Sequence, residues 1–142
     1  MNKIIPAALA IVAVAGGAYY LTRPGAPAPS AQPAEGEPIV SITVPDTMSA
    51  DAMIGQRAFD ATCAACHGTN ASGKQGFGPP LVHKIYEPNH HADMAFQMAV
   101  QNGVRSHHWT FGDMPAQSGL TKADVGNIVA YVRELQRANG IE

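Results

Sequence analysis

Two cysteines are all that the 142-residue chain contains. No disulfide framework can hold its fold, and no thiol is left over for a lipid anchor. Charged residues make up only 14% of the chain and sum to −2, so the basic surface that binds nucleic acid is missing. Aromatic residues are scarce at 6%, while 14 glycines and 11 prolines interrupt the chain. A polypeptide of this kind builds a thin core of its own. Internal repeats are absent, and strand patterning is confined to one short stretch, Ile39-Val40-Ser41-Ile42-Thr43-Val44. The length suits one domain of ordinary size.

Both cysteines fall in a single run, Cys63-Ala64-Ala65-Cys66-His67. A structural zinc site needs four ligands, and no histidine pair at finger spacing follows the cysteines. A thioredoxin-like redox pair needs a βαβ setting that the sequence does not provide. A bare disulfide leaves the adjacent His67 unexplained. The spacing does suit covalent attachment of a c-type haem. Cysteines three positions apart share one face of a helical turn, so both sulfurs reach the same porphyrin edge, and His67 follows within reach of the iron. One covalent porphyrin also supplies apolar volume that the chain lacks.

The chain divides into three parts. Residues 1–23 hold a short positive end and then an uncharged apolar run, Ile4 to Leu21, about the length a bilayer requires. Pro6 falls where a helix tolerates it, and Tyr19 and Tyr20 stand where rings favour the interface. The run continues past Ala13-Val14-Ala15 and ends at Arg23, which favours a retained single-pass anchor. The alternative is a signal peptide cleaved after those small residues. Either way the domain is exported, to the periplasmic face of the inner membrane or as a soluble periplasmic protein. Residues 24–45, rich in Pro, Ala and Glu, form a linker with an upper reach of roughly 65 Å. Within it, Ile39–Val44 either continues the linker or lies extended against the domain, which occupies 46–142.

Three helices are expected there. Ser49 caps the first, which runs through Ala52, Gln56, Phe59 and Asp60 into the cysteine motif. Gly55 lies one turn from Phe59, and its cost to the helix implies close approach of another helix. Gly68–Pro80, with four glycines and two prolines, is irregular. A second helix spans His91 to Asn102, with Met94, Ala95 and Met98 as its apolar stripe and Gly103 as its stop. The last helix is capped by Thr121 with Asp124 in a variant capping box. It buries Val125, Ile128, Val129, Val132 and Leu135, and Arg133 and Arg137 favour its negative end.

An iron held by His67 has a second axial position to fill. Met48 and Met53 lie near the first helix, and Met94 and Met98 fall on a helical stripe where packing is the commoner use. Met114 differs, because it lies in a loop after Gly112-Asp113 and before Pro115.

Cys63-Ala64-Ala65-Cys66-His67, Gly78-Pro79-Pro80-Leu81, Met114-Pro115 and Ile128-Val129-Ala130-Tyr131-Val132 occur in the order found in class I c-type cytochromes, which the chain resembles from about Asp51 to Asn139. The resemblance implies an all-α cytochrome c fold, three to five helices around one covalent haem c. It implies thioether bonds from Cys63 and Cys66, His67 as proximal ligand and Met114 as distal ligand. It also implies that the Pro79 carbonyl accepts a hydrogen bond from the far nitrogen of His67, with Leu81 closing the same cofactor-binding motif. The Gly55/Phe59 face is expected to cross the Ile128/Tyr131 face. Leu81 to Gly112 departs from the best-known members.

Trp109 lies in a haem-facing loop, where its N–H either bonds a propionate or its ring packs in the core. His83, His90, His91, His107 and His108 are expected as polar surface, with a second metal or a replacement iron ligand as the alternative. The expected function is one-electron transfer rather than enzymatic turnover. Thioether sulfur favours ferrous iron and raises the potential. The implied partners are membrane redox complexes of respiration or photosynthesis, quinol–cytochrome c oxidoreductase as donor and a terminal oxidase or reductase as acceptor. The alternatives are a fixed electron-transfer subunit of one oxidoreductase, and a haem enzyme or sensor with open iron.

Overall fold

The computed structural model describes residues 32–142 together with Tyr19. The expected membrane segment over 1–23 and the first part of the linker fall outside the described residues. Four α-helices follow in order: α1 Ala50–Thr62, α2 Ala64–His67, α3 Asp93–Asn102 and α4 Lys122–Ala138. Short 3-10 turns lie at Thr69–Ala71 and Lys84–Tyr86. Among the described residues there is no strand, only isolated bridges joining Lys74 to Gly78 and Val104 to Met114. No described helix is long and apolar enough to cross a membrane.

Local chemistry starts the two long helices. The Ser49 hydroxyl accepts from the Ala52 N–H at 3.2 Å and satisfies a first-turn donor of α1. At α4, Thr121 Oγ1 accepts from the Asp124 N–H at 3.2 Å, and the Asp124 carboxylate accepts from the Thr121 N–H at 2.8 Å. That is the reciprocal box expected from the sequence. The Thr121 hydrogen bonds hold the Asp124 carboxyl below its usual range.

These two helices make the core. Ala52, Gly55 and Phe59 are the buried face of α1. Ile128, Tyr131, Val132 and Leu135 of α4 join Ala52 and Phe59 in one cluster. The Phe59 and Tyr131 rings meet at 5.6 Å between centroids, tilted by 59°. A Cβ on Gly55 would stand 1.8 Å from the Asn127 carbonyl oxygen, so only hydrogen lets the backbones approach this closely. The crossing of Gly55/Phe59 with Ile128/Tyr131 is therefore present.

Gln32–Glu142 form one compact unit. Of the two expectations for Ile39–Val44, the extended segment against the domain is the one seen. Its backbone finds partners there: the Val40 N–H donates to Ser72 O at 3.1 Å and the Thr43 N–H to Asn139 Oδ1 at 2.9 Å. Ile42 packs on the core cluster. Packed chain thus reaches back past Asp46.

Two expectations about side chains need correction. Met94 and Met98 do not form an inward stripe; they are 67% and 50% exposed. Phe96 is the α3 side chain that packs on the core cluster, and Met94 and Met98, each two positions from it, do not share its face, while the exposed Asp93 carboxylate meets Arg133. Arg133 is not a surface charge at the end of α4 but is 7% exposed. Its Nε donates to Asp93 Oδ1 at 2.8 Å, and its Nη1 donates to Tyr86 O at 2.7 Å and Gln136 Oε1 at 2.6 Å. Nη2 donates to His91 O, and the guanidinium lies 5.0 Å from the Phe96 ring centroid. One buried cation thereby ties the middle segment and the start of α3 to α4.

Candidate haem site

The cysteine motif continues the axis of α1 by one more turn. The Cys63 N–H still donates to Phe59 O at 2.7 Å, and the His67 N–H donates to Cys63 O at 2.9 Å. Cys63 is half-buried and Cys66 exposed, and both thiols are free. Burial, with the neighbouring Cys66 adding to it, pushes the Cys63 thiol up to about 11. At neutral pH it therefore stays a thiol.

His67 meets one partner. Its Nδ1 lies 2.9 Å from the Pro79 carbonyl oxygen. A carbonyl can only accept, so Nδ1 carries the proton and Nε2 keeps its lone pair. Burial lowers the His67 pKa and the Pro79 hydrogen bond opposes the shift, so the ring is neutral at physiological pH. A neutral imidazole, oriented through one nitrogen and free at the other, is how proteins prepare a metal ligand. The loop that brings Pro79 round is held tightly. The Gly73 N–H donates to His67 O at 2.7 Å, and the Lys74 N–H to Gly78 O at 2.9 Å. Pro80 is fully buried, Leu81 packs on the core, and the Leu81 carbonyl accepts from Gln136 Nε2 at 2.8 Å.

Met114 and Trp109 lie in the loop between α3 and α4. Met114 is half-buried, and its N–H and C=O exchange hydrogen bonds with Val104, each 2.9 Å. Gly103 makes that pairing possible: its φ is +75°, and a Cβ there would stand 2.6 Å from Met114 O. Trp109 stacks on Phe111 at 5.9 Å and meets His83 edge-on at 5.2 Å. No hydrogen bond joins Met114 or Trp109 to the Cys63–His67 turn.

These residues fit a haem on two grounds. The buried Trp109 Nε1 has no hydrogen-bond partner. The Tyr86 hydroxyl feels the indole, which opposes the rise that burial causes in its pKa, yet the two do not meet in hydrogen-bond geometry. A buried N–H left unpaired is costly, and a carboxylate acceptor such as a propionate removes the cost. In addition, no residue between Val82 and Val125 is fully buried by protein, although Trp109, Phe111, Met114 and Leu120 are large and apolar. These side chains leave the loop with apolar surface that protein covers only in part, which suits a flat hydrophobic group.

Sequence reasoning missed Arg133 and Gln136 as supports of the segment from Leu81 to the start of α3, whose carbonyls they bind. Their spacing was a signal: Val129, Val132, Arg133 and Gln136 follow the same helical repeat as the apolar stripe.

The family described as cytochrome c matches residues 52–136, from the first turn of α1 to near the end of α4. Cytochrome c-555 of Chlorobaculum thiosulfatiphilum is 36% identical over 85 residues, which cover 58% of this chain and 93% of the relative. Cytochrome c-555 of Chlorobaculum tepidum is 35% identical over 85 residues, covering 58% and 74% of the two chains. Cytochrome c-554(547) of Halothiobacillus neapolitanus is 32% identical over 91 residues, covering 61% and 98%. The family match takes in more than half of the chain and brackets its Cys-x-x-Cys-His turn, so the chain belongs to the cytochrome c family, with one covalently bound haem c.

Proposed function

We propose that the protein is a one-electron carrier whose haem iron is held by His67 and Met114. The observation that carries this is the His67 Nδ1–Pro79 hydrogen bond, which leaves Nε2 of a neutral ring as the lone-pair nitrogen beside two free thiols. A haem held there would supply one-electron chemistry.

The chain's own residues set the terms of that exchange. Cys63 and Cys66 would hold the haem through thioether bonds, with Cys66 exposed at the surface. Pro79 orients His67 and raises its basicity through the shared proton. Met114, fixed at its backbone by Val104, supplies the soft neutral sulfur that favours the reduced state. As a second ligand to the iron, Met114 would leave no open site for oxygen or peroxide. The Trp109 N–H offers a hydrogen bond to a propionate, and Leu81 packs beside the proximal motif. His67, held by Pro79, and Met114, held by Val104, would give the haem iron two ligands already fixed by backbone hydrogen bonds.

Membrane redox complexes are the proposed partners, with quinol–cytochrome c oxidoreductase as donor and a terminal oxidase or reductase as acceptor. The apolar run in residues 1–23 supports attachment to the inner membrane with the haem domain in the periplasm. Such attachment makes encounter effectively intramolecular, at local concentrations on the order of mM.

The test is Met114→Ala. It is expected to lower the midpoint potential and to let the ferrous protein bind carbon monoxide. An unchanged potential would falsify the ligand assignment.

A further inference from the structure

Four histidines that the haem site does not use converge from two segments of chain. His90 and His91 end the turn before α3, where both N–H groups donate to Glu87 O, at 3.0 and 2.8 Å. His107 and His108 lie in the loop after α3, which doubles back alongside the start of that helix. The His90 and His108 ring centroids are 5.4 Å apart, and so are those of His91 and His108. His107 lies 4.2 Å from His108.

The nitrogens matter more than the rings. His90 Nε2 and His108 Nε2 stand 3.4 Å apart. Two imidazole nitrogens on one tetrahedral ion, each about 2.0–2.1 Å from the metal, are separated by roughly 3.3–3.4 Å. His90, His91 and His108 can each contribute one ring nitrogen to a set in which all three lie within 4.8 Å of one another. A side-chain adjustment of little more than an ångström closes that set around an ion. His91 is also prepared for the role. Its Nδ1 donates to the Ile85 carbonyl at 2.6 Å, which leaves Nε2 as the lone-pair nitrogen. A backbone carbonyl behind the ring is the support that ligating histidines ordinarily have.

The geometry points to a second metal site, in which His90, His91 and His108 hold one Zn2+ or Cu2+ ion, with His107 or water completing the set. Neutral imidazoles in this number select borderline divalent cations, not calcium or magnesium, which require oxygen donors. His90 and His108 are exposed, so the ion can enter and leave without unfolding. Its structural effect is a cross-link. The ion ties the loop that carries Trp109 and Met114 to the turn that Arg133 already clamps through the His91 carbonyl.

Isothermal titration of the untagged, full-length holoprotein, stripped by chelator, with Zn2+ and separately with Cu2+, tests this. One ion per chain is expected, with a Kd in the micromolar range or below. His90→Gln and His108→Gln are each expected to weaken binding at least tenfold, and the double variant to abolish it. Unchanged haem spectra in the variants will show that they fold. Binding no tighter than millimolar, or a double variant that binds as the parent does, overturns the site. So does loss of the ferric sulfur-to-iron band from the parent protein on adding Zn2+, because it would mean that the ion disturbs the axial ligand instead of occupying its own site.

Discussion

Tyr131 illustrates how one side chain ties the helical core to the turn that follows the cysteines. Its hydroxyl donates to Asn70 Oδ1 at 3.0 Å, and Asn70 and Ala71 both hold positive φ, at 54° and 58°. Two consecutive left-handed residues are costly, and the surrounding contacts must over-determine them. Burial, with the Asp60 charge adding to it and a Gln56 hydrogen bond opposing it, pushes the Tyr131 pKa up to about 12 from 10.0. Because the folded-state value is the higher one, the phenol contributes its full stability below pH 10, and that contribution is lost as pH rises from 10 through about 12. Tyr131→Phe should cost about 1 kcal/mol at pH 7 through the lost hydrogen bond. It should also flatten the alkaline fall in stability, compared by denaturant unfolding at pH 7 and pH 11. An equal fall in both proteins would contradict the assignment.

Arg133 belongs to the same scale and escaped the sequence for a physical reason. A binary pattern places arginine on the surface, and the partners that justify burying it are the carbonyls of Tyr86 and His91, which no side-chain pattern announces. Replacing it by Leu strands the His91 carbonyl and Gln136 Oε1, while the Tyr86 carbonyl keeps Gln136 Nε2 at 3.0 Å and Asp93 stays hydrated, since that side chain is 71% exposed. The expected loss is about 2–3 kcal/mol in denaturant unfolding, below that of breaking a fully buried ion pair. A change within a few tenths would show that the clamp does not contribute.

At the scale of elements, the α1–α4 crossing rests on Gly55. Ala is the better helix former by roughly 1 kcal/mol, so a solvent-facing Gly55 would make Gly55→Ala stabilising. Here the added methyl collides with the Asn127 carbonyl, and overpacking by a backbone clash should cost about 3 kcal/mol net. A rise in thermal midpoint would contradict the crossing. The caps were legible in the chain because Ser49, Thr121 and Asp124 act on backbone atoms within their own helix, while Gly55 signalled only a close approach, its partner face coming from the family resemblance. The sides of α3 were not. Met94 and Met98 keep helical spacing, but spacing alone does not say which neighbour the helix meets, and Asp93 with Phe96 decided that through Arg133. The His67–Pro79 contact was foreseen through family resemblance, since nothing in local spacing makes a carbonyl twelve residues away return to the ring.

At the scale of the whole molecule, helices and backbone-paired loops hold the two groups of candidate residues, Cys63, Cys66 and His67 in the turn after α1 and Trp109 and Met114 in the loop between α3 and α4. The extended segment at 39–44 braces the domain where a free linker was one of the expectations, with Thr43 and Asn139 exchanging two hydrogen bonds at 2.9 and 2.8 Å. If residues 1–23 form a retained anchor, expressing the protein without them behind a cleavable export signal should release it from membranes into the periplasmic fraction. Recovery of that variant in membranes would contradict anchoring through this segment. The net charge of −2 predicts only modest salt dependence for partner encounter.

The most direct test of the carrier assignment is the spectrum of the intact protein in both oxidation states. A six-coordinate iron between His67 and Met114 predicts a weak far-red sulfur-to-iron band in the ferric protein and a ferrous form indifferent to carbon monoxide. Absence of the band together with rapid carbon monoxide binding would contradict it.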